Sequence, residues 1–269
     1  LNVEQGDKKG VNMDTPIKPT VLQKGDTVAT ISLSGGSAGE PNLLPWYNVA
    51  KNRLKDIFGL NVTETTHCLS GRDYIYQNPE ARANDLMEAL LNPVIKAIFM
   101  CQGGDDAARI LPYIDMSIIR DNPKVFLGFS DATSIHYAFL LQGIVSFYGP
   151  NVLTTLSEPV KLHDYTIESM NKALFCKEPI GKITPANQRV YAPVDWQHGL
   201  NRERPLVENH GYEVLQGTGK IQGHLLGGCL GPLVFMLKGS EYFPCLEIWK
   251  DSLIFLDLMH PHNLKPTII

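Results

Sequence analysis

The chain has 269 residues, of which 43% are hydrophobic and 19% charged, as in ordinary globular proteins. Its net charge of -4 and its scattered Lys and Arg residues offer no basic surface for a polyanion, which argues against nucleic acid as a partner. No apolar run approaches the roughly 20 residues that a membrane span needs, so we expect no membrane association.

Strands and helices are predicted to alternate after a polar N-terminal stretch. Residues 1–20 contain Gly and Pro but no apolar signal core, which predicts a disordered tail or leader with Met13 as a candidate start. Uniformly apolar strands that alternate with helices predict a parallel sheet covered on both faces. In chain order, the predicted elements are a strand at 26–34, a helix at 45–59, a strand at 60–68, a helix at 78–92, a strand at 94–101, a helix at 105–114, a strand at 124–129, a helix at 131–143 and a strand at 144–148.

The pattern changes in the second half of the chain. Residues 158–180 have a helical pattern, whereas 181–217 are polar, contain Pro and Gly, and have few apolar runs. Apolar segments return after residue 220 and predict a second, smaller domain of mixed α/β structure. We therefore expect an N-terminal α/β domain at 21–180, followed by a linker and a partial C-terminal domain at 181–269.

A serine lies at the most abrupt strand-to-helix junction, Gly128-Phe129-Ser130-Asp131-Ala132. Small residues two positions before and after Ser130 would let a strand and a helix approach closely, as in a nucleophile elbow. The alternative is that Ser130 or Asp131 simply caps the helix at 131–143, and spacing alone favours this cap.

A second loop at the same expected sheet edge contains Gly103-Gly104. Unhindered glycine N–H groups suit an oxyanion hole, although an ordinary tight turn has the same composition. Asp105 and Asp106 follow as candidate helix caps. No His or Glu at ligand spacing supports reading them as a metal pair.

The histidines give no clear general base. His136 is six residues beyond Ser130 in the predicted helix, roughly 9 Å along its axis and on another face, which excludes it as the base. His260 and His262 follow Asp257 closely and offer a local Asp–His pair. The cysteines are odd in number and form no C-x-x-C spacing, which indicates reduced thiols in a cytoplasmic protein and no zinc site: Cys68, Cys101, Cys176, Cys229 and Cys245.

Several segments of the chain together resemble one family. These are "KGDTVATIS", "RANDLMEALLNPVIKAIFMCQGGDDAARILPYID", "NPKVFLGFSDATSIHY", "SFYGP", "GHLLGGCLGPLVFMLKGSEYFPC" and "DSLIFLD", in order within residues 24–258. The ordered set resembles the L,D-carboxypeptidases, a family of serine peptidases, and within it the branch of the microcin C immunity proteins. Because of this resemblance, we expect Ser130 to be a nucleophile rather than a helix cap.

The resemblance implies a Ser–Glu–His triad that uses no metal or cofactor, on an amidotransferase-like N-terminal fold with a second mixed α/β domain. Ser130 corresponds to the nucleophile, and the backbone N–H groups of Gly104 and Asp131 correspond to the oxyanion hole. Asp257 occupies the position of the family glutamate and is shorter by one methylene. No residue of the chain matches the family histidine, and Cys229 replaces the asparagine of a "GGN" motif.

The function expected from the resemblance is cleavage of an amide next to a D-amino acid or another unusual residue. The substrate would be a small peptide-like molecule: a muropeptide tail, or an aminoacyl-nucleotide antibiotic of the microcin C type, which the branch resemblance favours. Homodimers would be unsurprising in this family. One alternative is a truncated or catalytically impaired homologue that binds a ligand, and another is a thiol enzyme that uses Cys101.

Overall fold

The computed structural model describes residues 15–258. Seven α-helices lie in this range: α1 Leu44–Asp56, α2 Arg72–Gln77, α3 Pro79–Leu91, α4 Met116–Asp121, α5 Thr133–Leu141, α6 Asp164–Met170 and α7 Leu246–Trp249. The strands of the same range are β1 Thr27–Ile31, β2 Asn61–Glu64, β3 Ile95–Met100, β4 Val125–Gly128, β5 Phe147–Tyr148, β6 Gln188–Val190, β7 Leu206–Glu208, β8 His224–Cys229 and β9 Ser252–Asp257. None of the helices in the described range has the length and apolar character needed to cross a bilayer.

The first five strands form one parallel sheet in the order β2-β1-β3-β4-β5. Side chains of β1 alternate between two buried clusters, so that Ala29 faces one and Val28 the other. Helices α3 and α5 cover the first face, through residues such as Leu86 and Ile135, and α1 covers the second through Trp46. The predicted fold class, a parallel sheet with helices on both faces, is confirmed.

Three local predictions differ from the structure. Residues Ala107–Tyr113 form a 3-10 helix rather than the predicted α-helix; Pro112 lies inside it and has no N–H to donate to a preceding turn. Strand β5 has two residues instead of five, because Ile144 forms a separate parallel bridge with Ile17. Ile17, which lies in the segment expected to be a tail, donates its N–H to Gly143 O at 2.8 Å. Helices α2 and α4 are short and were not predicted.

Strands β8 and β9 form a separate parallel pair, in which β8 lies against α5 and the turn at Ser130–Ala132. Their register places Cys229 opposite Asp257, so the last residues of the two strands lie together. A π-helix, Pro232–Leu237, follows β8 and inserts Leu233 and Leu237 into the cluster that contains α5. The segment expected to be a linker contains the antiparallel pair β6–β7.

Candidate active site

The junction between β4 and α5 is a strained turn at Ser130. Its φ of 63° is in the left-handed region, which for a non-glycine residue costs on the order of 1–3 kcal/mol. A methyl group on Gly128 would lie 2.9 Å from Met100 Cβ and 3.0 Å from Ala132 Cβ, so small residues are required on both sides of the turn. These are the features of a nucleophile elbow.

The alternative reading of this junction as a plain helix cap is wrong. Neither the one-turn 3-10 helix Ser130–Ala132 nor α5 has a side-chain cap. The Asp131 carboxylate instead accepts hydrogen bonds from Ser34 Oγ at 2.6 Å and from the N–H groups of Asp106 and Ala107 at 2.9 and 2.7 Å. Burial raises the pKa of Asp131, and these three donors oppose the shift.

The Asp131 bonds bring the loop after β3 against the serine. A methyl group on Gly103 would lie 2.9 Å from Ser130 Oγ, and one on Gly104 would lie 2.1 Å from Ser34 Oγ. Both positions therefore require glycine, and the loop is a close neighbour of the serine hydroxyl. The structure thus brings together the three expected elements of the site on the first domain: Ser130, Asp131 and the glycine loop.

A buried ion pair fixes this loop from the other side. Arg82 is fully buried and donates from Nη1 and Nη2 to the two carboxylate oxygens of Asp106, each at 3.1 Å. Arg109 Nη1 donates to the same carboxylate at 3.1 Å. Asp106 thus pairs with arginines and makes no side-chain cap, and no group of residues suited to a metal ion occurs in the described range.

Asp257 reaches the serine through a tyrosine that the sequence analysis missed. Tyr148 OH donates to Asp257 Oδ2 at 2.7 Å and accepts the N–H of Ser130 at 2.9 Å. Burial, with a further contribution from Asp257, raises the pKa of Tyr148 far above its usual range, so the hydroxyl stays protonated. The one available signal was the position of Tyr148 at the end of a predicted strand on the site edge of the sheet.

No histidine within residues 15–258 hydrogen-bonds to Asp257 or Ser130, and His260 and His262 lie outside the described residues. His136 is buried and faces Gly128 O through Nε2 and Ser146 Oγ through Nδ1, both at 2.8 Å. Its burial lowers its pKa to about 4, so it is neutral and donates from Nε2 to the carbonyl. His136 is therefore packed in the interior, and neither of its ring nitrogens hydrogen-bonds to Ser130 Oγ.

Two cysteines lie near the site in different ways. Cys229 donates its N–H to Thr133 Oγ1 at 2.9 Å, and burial raises the pKa of its thiol, with the nearby Ser130 opposing the shift. Cys101 is fully buried with its Sγ 3.4 Å from Cys68 Sγ. This contact and burial raise the Cys101 pKa well above its usual value, and the buried thiol has no access to the cleft surface; both observations argue against the thiol-enzyme alternative.

Ser130 opens into a cleft of about 390 Å³. Trp196 lines the cleft and packs edge-on against Trp46 at a centroid distance of 4.9 Å. Trp46 also donates its Nε1–H to Trp196 O at 3.2 Å, which ties the segment after α6 to α1. The cleft is further lined by Gln102, Gly103, Gly104 and Arg72.

The chain is similar to known proteins over most of its length. Residues 28–149 match the family described as the LD-carboxypeptidase N-terminal domain. The microcin self-immunity protein MccF of Escherichia coli is 30% identical over 194 residues, which are 70% of this chain and 55% of that protein. A probable murein peptide carboxypeptidase of Bacillus subtilis is 34% identical over 140 residues, which are 52% of this chain and 42% of that protein.

A solved structure shares most of the fold. The MccF-like protein from Streptococcus pneumoniae, crystallised in complex with AMP, is 31% identical and superposes with a TM-score of 0.78. The similarity covers 87% of this chain and 73% of the other. The chain thus spans about half the length of the two curated relatives and nearly three quarters of this structure.

Proposed function

The chain belongs to the LD-carboxypeptidase family, and from this premise we propose that it is a serine carboxypeptidase-type hydrolase with Ser130 as its nucleophile. One observation carries the proposal: Ser130 is held at a φ of 63° at the end of a buried parallel strand, with its hydroxyl against the glycine loop. A strained backbone kept at one serine in a cleft is typical of an activated nucleophile.

In the proposed reaction, Ser130 Oγ attacks the carbonyl carbon of an amide and its proton passes to a base. The negative charge that develops on the carbonyl oxygen is stabilised by the backbone N–H groups of Gly104 and Asp131. The C–N bond then breaks, the amine leaves with a proton, and water hydrolyses the acyl–serine ester. The Asp131 carboxylate supports this geometry because it binds the loop that contains Gly104.

The acid of the site is proposed to be Asp257, acting through Tyr148. Tyr148 OH joins Asp257 Oδ2 to the Ser130 N–H. The Asp257 carboxylate therefore orients the backbone of the elbow rather than the Ser130 side-chain hydroxyl. A homologue that binds ligand with little turnover is the second candidate. The observation in its favour is that, within residues 15–258, this acid hydrogen-bonds to a tyrosine and to no histidine.

Two substrate classes are consistent with the relatives. The E. coli relative is a microcin immunity protein and the S. pneumoniae structure contains AMP, which favours an aminoacyl nucleotide. The B. subtilis relative is a probable murein peptide carboxypeptidase, which favours a muropeptide tail. We propose the aminoacyl nucleotide as the first substrate to test, because the resemblance to the immunity branch extends along most of the chain.

The test is amino-acid release from a tetrapeptide tail ending in D-alanine and from an aminoacyl nucleotide, together with labelling by a fluorophosphonate. We expect Ser130→Ala to lower turnover by about a thousandfold or more and to abolish labelling. Ser134→Ala, a buried serine one turn further along the same helix, is the matched control and should retain both.

Equal cleavage by Ser130→Ala and wild type would contradict the nucleophile assignment. Binding of either substrate by wild type without turnover or labelling would support the ligand-binding alternative.

A further inference from the structure

We propose that Arg72 recognises an anionic group of the substrate next to the amide that is cleaved, and so determines which amides enter the Ser130 cleft. This proposal rests on the proposed function, since it concerns the same cleft. The anion is a carboxylate or a phosphoryl group, whose oxygens a guanidinium binds with the same pair of parallel N–H donors.

Arg72 is the one charged side chain among the described residues that line the cleft. The other lining residues are neutral: Ser37, Asn42, Leu43, Gln102, Gly103, Gly104, Phe129, Ser130, Asn151, Leu153, Thr154 and Trp196. A single cation in a concave, otherwise neutral surface attracts an anion without competition from a neighbouring carboxylate in the cleft.

Arg72 is held in place by two polar contacts. Its Nε–H donates to Ser37 Oγ at 2.8 Å, and its backbone N–H donates to Glu40 Oε1 at 2.8 Å. The Glu40 carboxylate therefore binds the main chain of Arg72, and no carboxylate of residues 15–258 lies within ion-pair distance of the guanidinium. The Nε contact uses one of the five N–H donors and fixes the plane of the group, which leaves the two terminal nitrogens for a ligand.

Two glycine contacts make this placement rigid. A methyl group on Gly36 would lie 2.5 Å from Gly71 O, and one on Gly39 would lie 2.3 Å from Leu69 O. The loop after β1 and the loop before α2 thus pack backbone against backbone. Since Arg72 follows the second loop directly and bonds to the first, its guanidinium is supported by both.

The chemistry of both candidate substrates fits this arrangement. In a peptide tail, the terminal carboxylate is a few bonds from the carbonyl that Ser130 would attack. In an aminoacyl nucleotide, the phosphoryl group has a similar distance from its acyl carbonyl. With the carbonyl at Ser130, either anion lies within the same cleft as Arg72, which explains how one site could serve relatives that act on different substrates.

The test measures binding by calorimetry in the full chain with Ser130→Ala, so that no probe is consumed. The probes are an acetylated peptide ending in D-alanine with a free carboxylate, the same peptide as its C-terminal amide, and AMP. We expect Arg72→Gln to weaken binding of at least one anionic probe by about tenfold or more and to leave binding of the amide unchanged. Arg72→Lys should recover part of the loss, since it keeps the charge but not the paired donors.

Arg120→Gln, an exposed arginine on α4 that pairs with Asp121, is the control and should bind all three probes as its parent does. A loss confined to the carboxylate peptide identifies a peptide tail as the ligand, and a loss confined to AMP identifies a nucleotide. Equal losses for the peptide and its amide, unchanged binding of both anions, or no binding of either anion to the parent would each overturn the proposal. Because turnover is not measured, a failure of hydrolysis contradicts the proposed function separately.

Discussion

The five-stranded sheet and the β8–β9 pair have the same parallel geometry but differ in how they are covered. Every residue of β3 and β4 except Lys96 is buried. In the β8–β9 pair, Leu226 is 4% exposed, whereas its neighbour Leu225 is 70% exposed and Ile254 61%. The proposed nucleophile is therefore positioned by a framework packed on both faces, and its acid by a pair of strands packed on one. The two halves of the site should respond differently to mutation.

The largest effect is expected from the buried ion pair under the glycine loop. Arg82→Met leaves the buried Asp106 carboxylate with Arg109 as its one remaining ion-pair partner within residues 15–258, and should lower the free energy of unfolding by about 3–5 kcal/mol in urea denaturation. Lys51→Met breaks an ion pair with Glu64 that is half exposed, and should cost less than about 1 kcal/mol. Equal losses in the free energy of unfolding for the two variants would contradict the view that the buried ion pair holds the glycine loop in place.

The covered sheet should also be sensitive to acid through His136. The folded-state pKa of about 4 lies below the ordinary 6.5, so the unfolded chain binds the extra proton between these values. The contribution of His136 to the free energy of unfolding is then fully present above pH 6.5 and falls by roughly 3 kcal/mol as the pH approaches 4. His136→Gln should remove this part of the pH dependence in denaturation curves, whereas substitution of the exposed His198 should leave it intact. An unchanged pH profile in His136→Gln would exclude the assignment.

The link between the two sheets can be tested at Tyr148. Tyr148→Phe removes the acceptor for the Ser130 N–H and the donor to Asp257, and should slow fluorophosphonate labelling of Ser130 about tenfold. Tyr137→Phe is the control, because that hydroxyl has no hydrogen-bond partner among the described residues and its ring packs against Trp249 at a centroid distance of 6.3 Å. If both variants label at the wild-type rate, Asp257 does not act through Tyr148.

The smallest effect is expected on the outer face of β9. Ile254→Thr changes an exposed side chain and should alter the free energy of unfolding by less than about 0.5 kcal/mol. Leu226→Ala, on the packed face of the neighbouring strand, should cost about 2–4 kcal/mol in the same denaturation assay. A cost for Ile254→Thr similar to that of Leu226→Ala would mean that the outer face is covered in solution.

The sequence predicted the features that depend on local pattern. Alternating strands and helices identified the sheet. The small residues around Ser130 made an elbow possible, but the spacing alone favoured a helix cap, and the family resemblance was needed to reverse that preference. It did not predict that the Asp131 side chain binds the loop after β3, because that contact joins residues 24 and 25 positions apart. A carboxylate after a serine has the same local appearance whether it caps a helix or reaches across the sheet.

The acid side of the site was harder to predict. Tyr148 and Asp257 are 109 residues apart, and nothing in either strand indicates their contact. The resemblance identified Asp257 as the residue at the position of the family acid, but it did not indicate that Asp257 contacts a tyrosine. Side chains that meet through tertiary packing between separate sheets leave no periodic signal in one sequence.

The side-chain hydroxyl of Thr133 connects the turn at Ser130 to strand β8 of the second sheet. Its Oγ1 donates to Ser130 O at 2.6 Å and accepts the Cys229 N–H at 2.9 Å. A methyl group on Gly228 would lie 2.6 Å from Thr133 Cγ2, so a glycine is needed for β8 to pass this close to Thr133. Displacement of β8 away from Thr133 therefore disturbs the residue that hydrogen-bonds to the carbonyl of Ser130. Any movement that separated the sheets would distort the elbow at the same moment, which makes the site sensitive to their relative position.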